Sequence, residues 1–114
     1  MLLSYQVHSK DFATLPQITL SDLQKIAADG YKSVINNRPD LEGGPSQPTN
    51  EELKLLAMSQ GLVYVYLPVV SGQITAANVA EFTKLLEDLP KPIVAFCRTG
   101  TRSTVLFGMM LRNL

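Results

Sequence analysis

A single three-layer α/β domain, with a mainly parallel central sheet flanked by helices, is expected from two features of this chain. Short apolar runs of β type alternate with amphipathic segments of helical length. Glycine, proline or a capping residue marks nearly every junction between them. Strands separated by helices of about ten to fifteen residues imply right-handed βαβ units, and hence a parallel sheet covered on both faces. The chain has 114 residues, of which 46% are hydrophobic and 18% charged, which suits one domain, residues 1–114, able to bury a core.

The elements follow in order. Phe12 to Leu15 reads as a short first strand, broken by Pro16. Thr19 to Asp29 reads as a helix: Leu20, Leu23, Ile26 and Ala27 share a face, Thr19 can cap it, and Gly30 ends it. Tyr31 to Asn36 contains Val34 and Ile35 and reads as a buried strand. Arg38 to Pro48 is a loop rich in glycine and proline. Thr49 and Glu52 have capping-box spacing, opening a helix to about Gln60 with Leu53, Leu56 and Ala57 inward; Gly61 closes it. Leu62 to Leu67 is a buried strand ended by Pro68, and Ser71-Gly72-Gln73 is a loop. Thr75 can cap a helix to about Asp88 whose inner face is Val79, Phe82, Leu85 and Leu86. Pro90 and Pro92 delimit the next connection. Ile93 to Phe96 is a third strong strand, and Arg102 to Leu111 the last helix.

Bulk properties exclude several classes of function. Ten Lys and Arg balance ten Asp and Glu, so nothing electrostatic argues for nucleic acid or an acidic membrane surface. No apolar run approaches the roughly 18 residues that span a bilayer, and Met1 to Gln6 lacks the basic and apolar regions of a signal peptide. One Cys means no internal disulfide, which fits a reducing, cytoplasmic setting. One His with one Cys argues against a zinc site, and no metal or other cofactor is expected.

The chemistry concentrates in residues 93–104. The apolar strand Ile93-Val94-Ala95-Phe96 ends on the lone Cys97; a loop with Arg98, Thr99, Gly100, Thr101 and Arg102 follows, and then a helix. Backbone N–H groups of such a loop can ring an anion, and the helix N-terminus favours negative charge. The same environment favours the thiolate, which is the nucleophile. A lone Cys at a strand end is usually a small buried hydrophobe. The two flanking arginines and Gly100 favour a reactive thiol instead. Arg102 reads as a bidentate anion clamp. Arg98 faces either solvent or an incoming anion, and Gly100 is expected in a conformation closed to other residues. Ser103 and Thr104 are placed to bond the thiolate or to cap the helix. Asn37 and Arg38 follow a strand's carboxyl end, where a second anion contact or a loop brace is expected. Asp40 and Glu42, the carboxylates of that loop, read as solvated charges first and as replacement general acids second. His8 reads as an ordinary surface residue.

Three segments, Val34 to Asp40, Tyr66 to Val69 and Cys97 to Ser103, taken in order, resemble the phosphatase-like domain of beta-lactamase hydrolase-like proteins. The resemblance covers nearly the whole chain. It implies a protein-tyrosine-phosphatase-like fold of the dual-specificity kind, with Cys97 and Arg102 as the catalytic pair and a small anionic substrate. Family members include proteins fused to a metallo-hydrolase of the persulfide dioxygenase type, a candidate partner here. Both phosphatase-like and sulfurtransferase activities are implied.

The sequence departs from the tyrosine phosphatase pattern in three ways. Four residues, not five, separate Cys97 from Arg102; Phe96 stands where histidine is typical; and Val69 to Gln73 lacks the general-acid aspartate. Cys97 to Ser103 is also similar to rhodanese loops, whose thiolate carries a sulfane sulfur as a persulfide. The first expectation is therefore sulfur transfer through a Cys97 persulfide. The second is phosphomonoester hydrolysis through a phosphocysteine. The third is a non-catalytic module that binds an anion or a phosphorylated partner.

Overall fold

The computed structural model describes residues 2–113. Met1, part of the N-terminal segment read above, lies outside the described residues. Among the described residues nine elements follow in order: β1 (Gln6–Ser9), β2 (Phe12–Leu15), α1 (Asp22–Ala28), β3 (Ser33–Asn36), α2 (Asn50–Ser59), β4 (Val63–Tyr66), α3 (Ala76–Asp88), β5 (Ile93–Phe96) and α4 (Thr101–Arg112). The strands form one sheet in the order β1-β2-β5-β3-β4. Among the described residues only the β1–β2 pairing is antiparallel.

The centre of the sheet explains the continuous apolar runs. β5 lies between β2 and β3, and all four of its residues are buried. Side chains alternate along it. Val94 and Phe96 join the core under α1 and α2, with Leu23, Ile26, Leu53 and Ala57. Ile93 and Ala95 join the other core with Val79 and Phe82 of α3 and Leu106 of α4. Each large apolar side chain so buried stabilises the fold by roughly 1.5–3 kcal/mol. The radius of gyration, 12.9 Å, is that of one compact domain of this size. Among the described residues no helix is long and apolar enough to cross a membrane.

Local signals hold where they are chemically specific. Thr49 and Glu52 form a complete capping box at α2, and Thr75 forms one with Asn78 at α3. At α1 the expected cap moves. The helix starts at Asp22, its N-cap is Ser21 with no side-chain bond, and Asp22 instead accepts the Thr19 N–H at 2.8 Å. The unexpected element is β1. Its sequence, Gln-Val-His-Ser, carries little apolar signal, and it exists because β2 offers an unpaired edge across a two-residue turn. There His8 is no plain surface residue: it bonds Thr14 Oγ1 at 2.9 Å and lies against Phe12 and Phe107.

Candidate active site

The carboxyl edge of the sheet assembles the site. Leu15, Phe96, Asn36 and Tyr66 are register partners across β2, β5, β3 and β4. Pro16, Cys97, Asn37 and Leu67 therefore leave the sheet along one line. The ladder continues past the strands: Asn37 donates its N–H to Phe96 O at 2.9 Å, and Val69 donates to Asn37 O at 3.0 Å. On the other side Gln17 N–H bonds Arg98 O at 3.1 Å. The backbone on either side of Cys97 is thus held, at Phe96 by Asn37 and at Arg98 by Gln17.

Cys97 is 1% exposed, and its Sγ accepts the Gly100 N–H at 3.1 Å. That bond requires the tight turn. Gly100 sits at φ 89°, and a Cβ there would stand 3.4 Å from Leu15 O, so glycine is needed as expected. It is also the N-cap of α4, so the free N–H groups of the first helical turn begin beside the sulfur. Thr99 and Thr101 are exposed and hydrogen-bonded to each other through their hydroxyls at 3.0 Å.

Arg102 is buried, and its contacts define what it can bind. Nη1 and Nη2 donate to the two Glu42 carboxylate oxygens at 2.8 and 2.7 Å, and Nη1 also donates to Val69 O at 2.8 Å. A guanidinium has five N–H groups. Three are occupied, and the Nε–H with the second Nη2 hydrogen has no partner among the described residues. One edge of the guanidinium is therefore held by the protein, and the other carries the two N–H groups that have no partner among the described residues. Glu42 raises the pKa of Arg102 chiefly through its hydrogen bonds, against the effect of burial, with a smaller contribution from the Cys97 sulfur.

Glu42 corrects the reading of a solvated loop charge. Besides gripping Arg102, it accepts Arg38 Nε at 2.9 Å, and Arg38 Nη1 is anchored on Gln17 Oε1 at 3.0 Å. The hydrogen bonds from Arg102, opposed by burial and helped by Arg38, hold the Glu42 carboxyl below its ordinary pKa. A carboxylate so held is ionised at neutral pH and does not serve as a general acid.

The remaining sequence candidates separate into braces and site. Asn37 is a buried brace: its Nδ2 donates to Leu67 O at 2.9 Å and its Oδ1 accepts Ser103 Oγ at 2.8 Å. Ser103 therefore bonds Asn37 and not the thiolate. Thr104 bonds Thr14 at 3.2 Å, on the side facing His8, and does not bond the thiolate either. Arg38 braces the loop and reaches the site through Glu42. Asp40 lies outside the site, where it accepts the Asn50 N–H at 2.8 Å in the first turn of α2. A cleft of about 260 Å³ opens over the loop, lined by Arg98, Thr99, Thr101, Arg102 and Val105 of the loop and α4 and by Ser71, Gly72 and Ile74 of the segment after β4.

Residues 4–112 match the family model described as the phosphatase-like domain of the beta-lactamase hydrolase-like protein. The chain belongs to that family. It is 36% identical over 91 residues to the beta-lactamase hydrolase-like protein of Agrobacterium fabrum, covering 80% of this chain and 21% of that one. The chain thus spans about a fifth of the length of that curated relative. A solved structure of a candidate phosphatase from Neisseria meningitidis Z2491 superimposes with a TM-score of 0.81 at 35% identity, covering 88% of this chain and 70% of that one. TpbA of P. aeruginosa, solved in complex with phosphotyrosine, shares the fold with a TM-score of 0.69 at 12% identity, covering 94% and 61%. The domain is a cysteine-dependent, phosphatase-like hydrolase in kind. These findings favour phosphoryl chemistry over sulfur transfer, reversing the order expected from the loop sequence.

Proposed function

We propose that this domain hydrolyses phosphate monoesters through a phosphocysteine on Cys97. The observation that carries the reading is the pairing of Cys97 with Arg102. The sulfur already accepts a loop N–H, and the guanidinium is locked by Glu42 with one edge left open. The thiolate attacks phosphorus and displaces the ester oxygen, which leaves with the electron pair of the broken P–O bond, while that edge and the N–H groups of residues 98, 99 and 101 hold the phosphoryl oxygens. Water then releases inorganic phosphate. The test is hydrolysis of an aryl phosphate by the purified protein, together with its loss in Cys97→Ser.

Sulfur transfer is the second reading. It is favoured by the four-residue spacing between Cys97 and Arg102, a ring suited to a smaller anion. It carries with it the metallo-hydrolase partner that would consume the persulfide. Thiosulfate offered to the same protein distinguishes the two readings by which group Cys97 acquires.

A further inference from the structure

The mouth of the cleft bears on how the leaving group departs. Its charged members are Arg98 and Arg102, and its hydroxyls come from Ser71, Thr99 and Thr101. Ile74 and Val105 supply the apolar wall. Among the described residues no carboxylate or histidine lines it. The segment from Val69 to Gln73, which faces the loop across the cleft, carries none. Glu42, the carboxylate bonded to Arg102, accepts three guanidinium N–H bonds from Arg102 and Arg38 and has no proton to give. A departing oxygen therefore meets a guanidinium, exposed on Arg98, and no acid strong enough to protonate it.

We propose that the substrates of this site are phosphates whose leaving group departs as an anion: acyl phosphates, or phosphates of acidic phenols. The proposal rests on the phosphatase reading above and names its substrate class. In the first step the Cys97 sulfur forms a bond to phosphorus. The bond from phosphorus to the bridging oxygen breaks, and its electron pair leaves with that oxygen as a carboxylate or phenolate. No proton moves. Arg98 stabilises the departing charge electrostatically. In the second step a water oxygen bonds to phosphorus, the S–P bond breaks, and its electron pair returns to sulfur. The water's proton passes to solvent, and inorganic phosphate leaves. A carboxylate, with a conjugate-acid pKa of about 4, departs readily in this way, whereas tyrosine, at about 10, departs with difficulty. Alkyl phosphates such as phosphoserine are excluded.

The experiment is a leaving-group series on the full chain. Acetyl phosphate and aryl phosphates with phenol pKa values from about 4 to about 10 are compared by kcat/KM. Without proton donation kcat/KM falls roughly tenfold for each pKa unit of the phenol, and acetyl phosphate ranks with the most acidic phenols. Arg98→Ala lowers kcat/KM across the series. A profile flat across the series shows that an acid protonates the leaving oxygen and overturns the proposal, even with Cys97-dependent turnover intact. Absence of turnover for every member, or turnover that survives Cys97→Ser, overturns the phosphatase reading itself and this proposal with it.

Discussion

Replacing Glu42 by glutamine separates two roles for the carboxylate that grips Arg102: positioning the clamp, or occupying the place of the substrate anion. The structure sets the size of the effect. Glu42 accepts three charge-assisted bonds, two from Arg102 at 2.7 and 2.8 Å and one from Arg38 at 2.9 Å, with its side chain a quarter exposed. Glutamine keeps one acceptor oxygen but turns an N–H donor towards an Arg102 N–H. It also leaves the buried guanidinium without its counter-charge. Breaking a fully buried pair costs about 3–5 kcal/mol, and an exposed pair is worth below about 1 kcal/mol, so this half-screened site is expected to lose about 2 kcal/mol. At roughly 4–8 °C per kcal/mol, the melting temperature falls by about 8–16 °C. The activity effect is larger. A displacement of about 1 Å in a positioning group costs about a hundredfold, so kcat/KM is expected to fall by that order while the protein stays folded at 25 °C. Steady-state kinetics, thermal melting and titration with inorganic phosphate measure all three quantities. If Glu42→Gln instead binds phosphate more tightly and turns over faster, Glu42 competes for the anion site and the positioning argument is wrong.

Gly100→Ala places a side chain at φ 89° and 3.4 Å from Leu15 O; it is expected to cost about 1–2 kcal/mol and to reduce kcat sharply, read by melting and kinetics together. Ser103→Ala strips the buried Asn37 Oδ1 of its donor and is expected to destabilise by about 1–3 kcal/mol, measured by urea unfolding, with a smaller effect on KM than Arg102→Ala. Acidification tests Glu42. Its folded pKa lies below the ordinary 4.5, so the stabilisation is complete above that pH and is lost as pH falls through the lower folded value. Unfolding free energy measured against pH below 4.5 should therefore fall less steeply in Glu42→Gln than in the wild type.

Much of this architecture is written locally. Ile93 to Phe96 is a strand because four apolar residues sit between proline and a lone cysteine, and its central place buries both faces. The Thr49–Glu52 and Thr75–Asn78 caps are local hydrogen bonds, so the helices they open are readable from spacing alone. Cys97, Gly100 and Arg102 were legible for the same reason: strand, turn and helix N-terminus adjoin in the chain. What escaped was non-local. β1 depends on the edge of β2 and carries a single strong β former, Val7. Glu42 lies in a loop without periodicity, and its partner Arg102 is sixty residues away. One local hint existed, the four-residue spacing from Arg38 that brings those two charges together. Ser103 and Thr104 could not be assigned from sequence, because their partners, Asn37 just past β3 and Thr14 in β2, are distant in the chain.

The central claim is that Cys97 becomes phosphorylated during turnover. Rapid quenching of the wild-type protein with an activated aryl phosphate, followed by mass analysis of the peptide containing Cys97, measures this directly. The account predicts the mass of one phosphoryl group on that peptide, absent when Cys97→Ser is treated alike and absent from every other peptide. An unmodified Cys97 throughout phosphate turnover would contradict it.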